Sequence, residues 1–419
     1  MTVSVSAARW TPEVFGPWPH SPGALLARVA ARSAAFAGTG AAGGAPVLIG
    51  SAAGADPGDV RRRARGELME RMGNVLAGRS AEAEAARARP GATPGTGEFV
   101  HIGDWCALRR HGVPAVDPAA WSGRDDSRDV RQLWCRGRSA GTGEEVWVPA
   151  GTAFLQHRPP PGCTVTHRAG STGVAAHPDP AAAAAHAAWE ILERDLVGRS
   201  WCAPHLRPPV SFDARAALPA DADADVLRGL LDREALTAVV LALPTPAGVV
   251  AVAVCLHDPD GAHQTFGARC APAGEGQDAV VRACWEALMV RWSMATPVAR
   301  RGWDRLAGTR VPRSGLDHAL WAYHAQDALA HWTGSRAPGR SPGPAVPSPG
   351  PDLFARVGAT ASPSPTALLA DRTGEDVIAV ERAVGPPADE GLAVVRLVAP
   401  GSLPLPAGPR PGVPPHPFG

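Results

Sequence analysis

ELMERM (67–72) and EILERD (190–195) are two spellings of one phrase, E-x-x-E-R, and reading them together decides the fold. Glutamates three positions apart on a helix project from one face, so each phrase offers a carboxylate pair about one turn apart. Hard cations take oxygen ligands and bind such pairs readily. Taken singly, a Glu/Arg phrase is an ordinary solvated face. Duplication alters that reading. GSAAGADPGDVRRRARG (50–66) precedes the first phrase and GSTGVAAHPDPAAAAAHAAW (170–189) the second, each a small-residue stretch expected to turn before an amphipathic helix. A fainter third copy, FGARCAPAGEGQDAVVRACWEALMVR (266–291), carries Arg282, Glu286 and Arg291. Three copies of turn plus acidic helix point to one site assembled from several helices.

The rest of the composition mostly excludes. A chain of 419 residues holds one large domain or two ordinary ones. Lysine is absent and asparagine occurs only at Asn74, while Ala, Arg, Gly and Pro abound, a nucleotide-composition bias that lowers the information in any single arginine. A net charge of +1 gives no case for nucleic acid or an anionic membrane. The short cluster Arg61, Arg62, Arg63 and Arg65 either neutralises the acidic helix or reaches phosphate. No apolar run is long enough to span a bilayer and no secretion signal opens the chain, so a cytoplasmic protein is expected. Seven scattered cysteines, none in C-x-x-C, give no expectation of structural zinc or a catalytic thiol. With no lysine a phosphate loop of the G-x-x-x-x-G-K type is excluded, and neither H-E-x-x-H nor G-x-S-x-G occurs.

Along the chain, residues 1–45 form an N-terminal segment, partly flexible, in which ALLARVAARSAAFAG (24–38) reads as a helix. A domain of 46–419 follows, opening on the strand APVLIG (45–50). LTAVVLALPTPAGVVAVAVCLHD (236–258) reads as a hairpin, and the third helix is expected to end near Met294. APGRSPGPAVPSPGPD (337–352) is a linker or surface loop. The pattern is α+β, mixed sheets and helices without the strand–helix alternation of a doubly wound sheet.

These residues resemble the YcaO superfamily, in the branch that forms azoline rings. Four further stretches carry the resemblance: STGVAAHPDP (171–180), similar to a family turn; EEVWVPAGTAFL (144–155), similar to the strand before it; GLAVVRLVAPGSLPL (391–405), with Arg396; and the proline-rich tail, about 406–419, ending PGVPPHPFG. The resemblance implies a YcaO-like fold whose acidic helices bind ATP through Mg2+, and an ATP-dependent cyclodehydratase. Cys, Ser or Thr of a ribosomally made precursor peptide would become thiazoline or oxazoline through phosphorylation of the backbone amide oxygen. Glu67, Glu70, Glu190 and Glu193 are the expected metal ligands. With them Ser171, Arg194, Arg282, Glu286 and Arg291 are the expected nucleotide contacts, and the carboxylate of Gly419 is the expected catalytic base. Glu193 with Arg194 can also be read as an inter-helix salt bridge.

Partners implied are the precursor peptide and a separate ThiF-like protein that binds its leader; a homodimer is left open. The chain departs from the family where Pro178 and Ala182 stand at positions often Asn and Glu. Two other readings therefore stay open, a thioamide- or amidine-forming enzyme of the same fold and a non-catalytic scaffold subunit.

Overall fold

The computed structural model describes residues 10–38, 46–87, 98–122, 124–334, 364–405, 408 and 410–418. Three antiparallel sheets share them. The first is ordered β1 (Glu13–Phe15), β2 (Leu25–Arg32), β3 (Val47–Gly54). The second comprises β4 (Val100–Gly103), β5 (Gln132–Ser139), β6 (Glu145–Pro149), β7 (Val174–His177), β12 (Ile378–Glu381) and β13 (Ala393–Val398), ordered β4-β5-β12-β13-β7 with β6 paired to β5. The third is β8 (Val210–Asp213), β9 (Thr237–Ala242), β10 (Val249–His257) and β11 (Thr265–Pro272), ordered β11-β10-β9-β8.

The helices, in chain order, are α1 (Pro57–Ala85), α2 (Trp105–Arg110), α3 (Ala119–Ser122), α4 (Ala150–Ala153), α5 (Pro180–Cys202), α6 (Ala222–Arg233), α7 (Gly276–Met294), α8 (Pro297–Thr309), α9 (Gly315–Ala325), α10 (Ala328–Thr333), α11 (Pro365–Thr373) and α12 (Pro386–Asp389). None is long and apolar enough to cross a membrane. Mixed helices and antiparallel sheets make the fold α+β.

Each sheet ends on an edge strand that feeds a long helix: β3 into α1, β7 into α5, β11 into α7. Local chemistry starts the first two alike. Asp56 and Asp179 cap α1 and α5, accepting from the backbone N–H groups of Asp59 at 2.5 Å and Ala181 at 2.9 Å. Pro57 and Pro180 then occupy the first helical position, where a missing N–H costs nothing. α7 follows Pro272 and a short 3-10 turn instead.

Two glycines set how close strand and helix lie. A Cβ on Gly50 would stand 2.0 Å from the Ala64 carbonyl oxygen, and one on Gly267 2.2 Å from that of Ala283. Any side chain there would push α1 off β3 or α7 off β11.

Two expectations change. Residues 25–32 are a strand where a helix was expected. Ala27, Val29 and Ala31 are buried while Arg28, Ala30 and Arg32 are exposed, an alternation of period two, and all eight residues pair with β3. Ala-rich composition favours a helix, but an eight-residue ladder and a half-buried sheet face override it. The small-residue approaches are likewise strand where turns were expected: Ser51 to Gly54 belong to β3 and Val174 to His177 to β7.

The hairpin forms as β9 and β10, α7 ends at Met294, and Arg396 lies on the late strand β13. The linker at 337–352 lies outside the described residues.

The largest core joins α5 to β11, β13 and α10 through Ala187, Leu192, Leu196, Phe266, Val395 and Trp332. Phe418, near the end of the chain, is buried in it. Its ring centroid lies 6.1 Å from that of Phe266 and 5.9 Å from that of Trp332, and the Trp201 indole N–H donates to the Pro414 carbonyl at 3.0 Å.

Candidate functional site

The three strand–helix units converge on a set of glutamates bound to strand edges. In each unit one glutamate accepts a backbone N–H from its own strand or the residue just before it: Glu67 Oε2 from Ser51 at 2.6 Å, Glu190 Oε2 from Gly173 at 3.0 Å, Glu286 Oε2 from Ala268 at 3.0 Å. The separations in sequence are 16, 17 and 18 residues. In the first two units the glutamate one turn later reaches the next unit's strand. Glu70 accepts from Ala176 on β7, and Glu193 accepts from Cys270 on β11 at 3.3 Å. The first Glu of E-x-x-E therefore ties a helix to its own sheet, and the second ties it to the neighbouring one. Edge-strand N–H groups that would otherwise need another partner are satisfied in this way.

Crowded carboxylates disturb one another. Burial, then the negative charges of Glu190 and Glu67, push Glu70 up to about 8. Burial raises Glu193 to about 7, with Glu286 and Glu190 adding to the rise and Arg194 and Arg269 opposing it. Burial also raises Glu67 against Arg71, and Glu190 against Arg194. Such a cluster holds protons at neutral pH unless a cation takes their place.

Arginine partners differ from place to place. Arg71 pairs with Glu67 at 2.5 Å and donates to the Ile49 carbonyl at 2.6 Å. Arg194, largely covered, lies 3.4 Å from Glu193 and 3.7 Å from Glu286, joining α5 to α7, and lies 5.8 Å over the Phe418 ring. Arg396 donates to the Gly170 carbonyl at 2.8 Å, its charge disfavoured by burial and supported by Glu190. Arg282 is held by Asp59 at 3.1 Å and Asp278 at 3.6 Å, near the start of α1. Arg291 is not brought to the cluster; it pairs with Asp258 and donates to the His263 carbonyl at 2.6 Å, on the β10–β11 connection. Asp195, last of the second phrase, is buried structure: it bonds Arg199, Arg372 and the Leu403 N–H.

Between α1 and α5 opens a cleft of about 370 Å³ lined by Glu67, Glu70, Arg71, Ser171 and Glu190. Arg63, His186, Trp189 and Arg269 complete its walls. Roomier grooves of about 570 and 630 Å³ lie along the second sheet. Chemistry and not volume singles out the smaller one, because it alone gathers carboxylates from two acidic helices. Among the described residues no three acidic, histidine or cysteine side chains converge on one point. The donor set still fits a hard divalent cation: its ligands are carboxylate oxygens whose mutual repulsion a cation relieves, and Mg2+ commonly takes its remaining oxygens from phosphate.

A family model described as YcaO cyclodehydratase, ATP- and Mg2+-binding, matches residues 51–403. The chain belongs to the YcaO family. Solved structures agree in fold. YcaO from Methanopyrus kandleri, bound with AMPPCP and Mg2+, superposes with a TM-score of 0.57 at 19% identity, over 96% of this chain and 90% of that one. A heterocyclase in complex with substrate and cofactor gives 0.62 at 16% identity, over 93% of this chain and only 49% of that one. A chain of the E. coli microcin synthetase McbBCD complex gives 0.58 at 12% identity, over 95% and 90%. No curated protein matches the sequence.

Against this YcaO fold, the structure gathers Glu67, Glu70, Ser171 and Glu190 in the cleft, with Glu193, Arg194 and Glu286 forming the adjoining network. Gly419 lies outside the described residues. Its neighbour Phe418 packs beneath Arg194. Sequence reading missed Arg269, His186 and Trp189 in the cleft wall, and Gly50 and Gly267 behind it. A usable signal existed: in the first and third copies a glycine directly precedes the residue whose N–H the helix glutamate accepts.

Proposed function

We propose that this YcaO protein is an ATP-dependent cyclodehydratase that converts Cys, Ser or Thr of a ribosomally made precursor peptide to thiazoline or oxazoline. The observation that carries the reading is the meeting of Glu67 and Glu70 from α1 with Glu190 from α5 in one cleft, close enough that the charge of Glu190 disfavours that of Glu70. Mg2+ held there would neutralise the phosphates of ATP beside these carboxylates. Glu67, Glu70, Glu190 and Glu193 are the proposed ligands, each already oriented by a backbone N–H. Phosphoryl transfer needs positioning and charge neutralisation more than covalent help.

In the reaction the peptide's thiol or hydroxyl adds to the preceding carbonyl carbon. The oxygen takes the γ-phosphoryl group with release of ADP, and the amide proton and phosphate then leave as the C=N bond forms. Arg194 offsets charge near the network, and the Gly419 carboxylate is the proposed acceptor of the protons that the attacking thiol or hydroxyl and the amide give up. Residues 46–419 are the proposed catalytic unit. β1 and β2 complete the sheet behind α1. A cytoplasmic location, and a separate ThiF-like partner that presents the leader, go with a precursor made on the ribosome. The scaffold reading rests on Pro178 and Ala182, which offer no carboxylate at the start of α5.

Calorimetry of ATP with Mg2+ decides between the two. Saturable binding by the folded wild type, lost in the Glu67→Gln/Glu70→Gln double variant, is expected; a folded protein without binding would favour the scaffold. Deleting Gly419 alone should suppress ring formation, read as loss of water mass from the peptide, while ATP binding persists. Full activity without Gly419 removes its carboxylate from the mechanism.

A further inference from the structure

We infer that Arg269 is the phosphate-contacting arginine of the cleft, a role that rests on the nucleotide reading above and adds to it a residue from β11. Arg269 is the exposed member of a strand whose neighbours on either side are buried. Its backbone is pinned on both flanks by carboxylates of the network: Ala268 N–H is held by Glu286 at 3.0 Å and Cys270 N–H by Glu193 at 3.3 Å. The side chain between these two anchors therefore leaves β11 at a fixed place and enters the cleft wall.

What distinguishes Arg269 is that, among the described residues, no carboxylate or carbonyl holds its guanidinium. Arg63 is held by Asp59 and the Ala53 carbonyl, Arg71 by Glu67, Arg194 by Glu193 and Glu286, and Arg282 by Asp59 and Asp278. Among the described residues the Arg269 side chain has no hydrogen bond or ion pair, yet its charge is felt by Glu193 and by His186, so it stands near the network without being spent on it. A guanidinium offers a planar fork of donors matched to two oxygens of a phosphate, and that fork is open here. The oxygens of the terminal phosphate not shared with the metal are the group it fits. On the cleft floor the carboxylates take the cation side of the ligand, and from the β11 wall Arg269 takes the anion side.

Three probes, each with Mg2+, separate a contact to the terminal phosphates from one to the nucleoside or its α-phosphate: ATP, AMP and tripolyphosphate, titrated calorimetrically into wild type, Arg269→Ala and Arg269→Lys. Because the residue is exposed, both variants should melt with the wild type. Arg269→Ala is expected to weaken ATP and tripolyphosphate by on the order of 10–100-fold while leaving AMP unchanged. Arg269→Lys should recover part of the loss, since charge remains and the fork does not. An equal loss for AMP and ATP, or no loss for either polyphosphate, overturns the assignment while the nucleotide reading stands. Failure of the wild type to bind ATP or tripolyphosphate overturns both.

Discussion

The first and second acidic helices spell the same phrase and do different work. In α1, Arg71 turns back onto Glu67 and the Ile49 carbonyl, closing a local pair with both side chains about a third exposed. In α5 the equivalent Arg194 is only 15% exposed and spans to Glu286 on α7 and to the ring of Phe418 in the tail. α5 receives one bridge and makes another: Glu70 of α1 reaches β7, and Glu193 of α5 reaches β11. α7 has Met289 where a second glutamate would stand, so the series of bridges ends there. Identical local sequence thus gives a peripheral wall in one place and a hub in another, according to what packs around it.

The largest effect that tests this contrast is on turnover. Glu67→Gln with Glu70→Gln and Glu190→Gln with Glu193→Gln should each cut ATP turnover by at least about a hundredfold. The second pair should lower the melting temperature further, because it removes the carboxylate paired with the largely covered Arg194, whereas the first removes only the partner of the more exposed Arg71. Equal melting of the two would erase the distinction between wall and hub.

Next in size is the arginine comparison. Arg194→Ala strands Glu193 and Glu286 without their cation and should cost about 3–5 kcal/mol in denaturant unfolding. Arg71→Ala, at an exposed pair, should cost about 0–1 kcal/mol. A small effect at Arg194 would mean the two carboxylates hold their protons and need no partner.

The acid cluster makes a pH signature. Glu70 rises from an ordinary 4.5 to about 8 and Glu193 to about 7, so the folded protein holds protons that the unfolded chain has lost. Their contribution to stability is full below about 4.5 and is lost as pH climbs through 7 to 8. Metal-free protein should therefore melt lower as pH rises across that window, Glu70→Gln should flatten the slope, and Mg2+ with ATP should stabilise more at pH 8 than at pH 6. A metal-free melting temperature that rises over the window contradicts the mutual repulsion of the cluster.

The smallest effect sits beside the first phrase. Gly66 lies inside α1 with nothing within 4 Å of where a Cβ would project, so Gly66→Ala should stabilise by roughly 0.5–1 kcal/mol. Gly50→Ala, its counterpart against the Ala64 carbonyl, should destabilise, and agreement between the two would show that the close strand–helix approach is not needed.

Much of the site was legible because its spacing is local. Glutamates three apart share a helix face wherever the helix lies, and Asp-Pro before each of the first two helices fixes their starts through a cap and a missing N–H. The third copy was readable for the same reason, although it keeps only one of the two glutamates. Arg291 misled for the opposite reason: its place on α7 is local, but its partners Asp258 and His263 come from a strand connection that sequence distance conceals. The strand at 25–32 was missed because alanine-rich alternation scores as helix until β3 supplies a ladder.

The sequence by itself determined that acidic helices recur, where they begin, and which faces carry the carboxylates, because these follow from helical periodicity and capping within a few residues. Tertiary structure alone decided that Glu70 and Glu193 bind neighbouring strands, that Arg194 is more covered than Arg71, and that Arg269 keeps an open guanidinium in the cleft. Those outcomes depend on how closely three sheets and their helices approach one another, a distance set by packing between residues far apart in the chain.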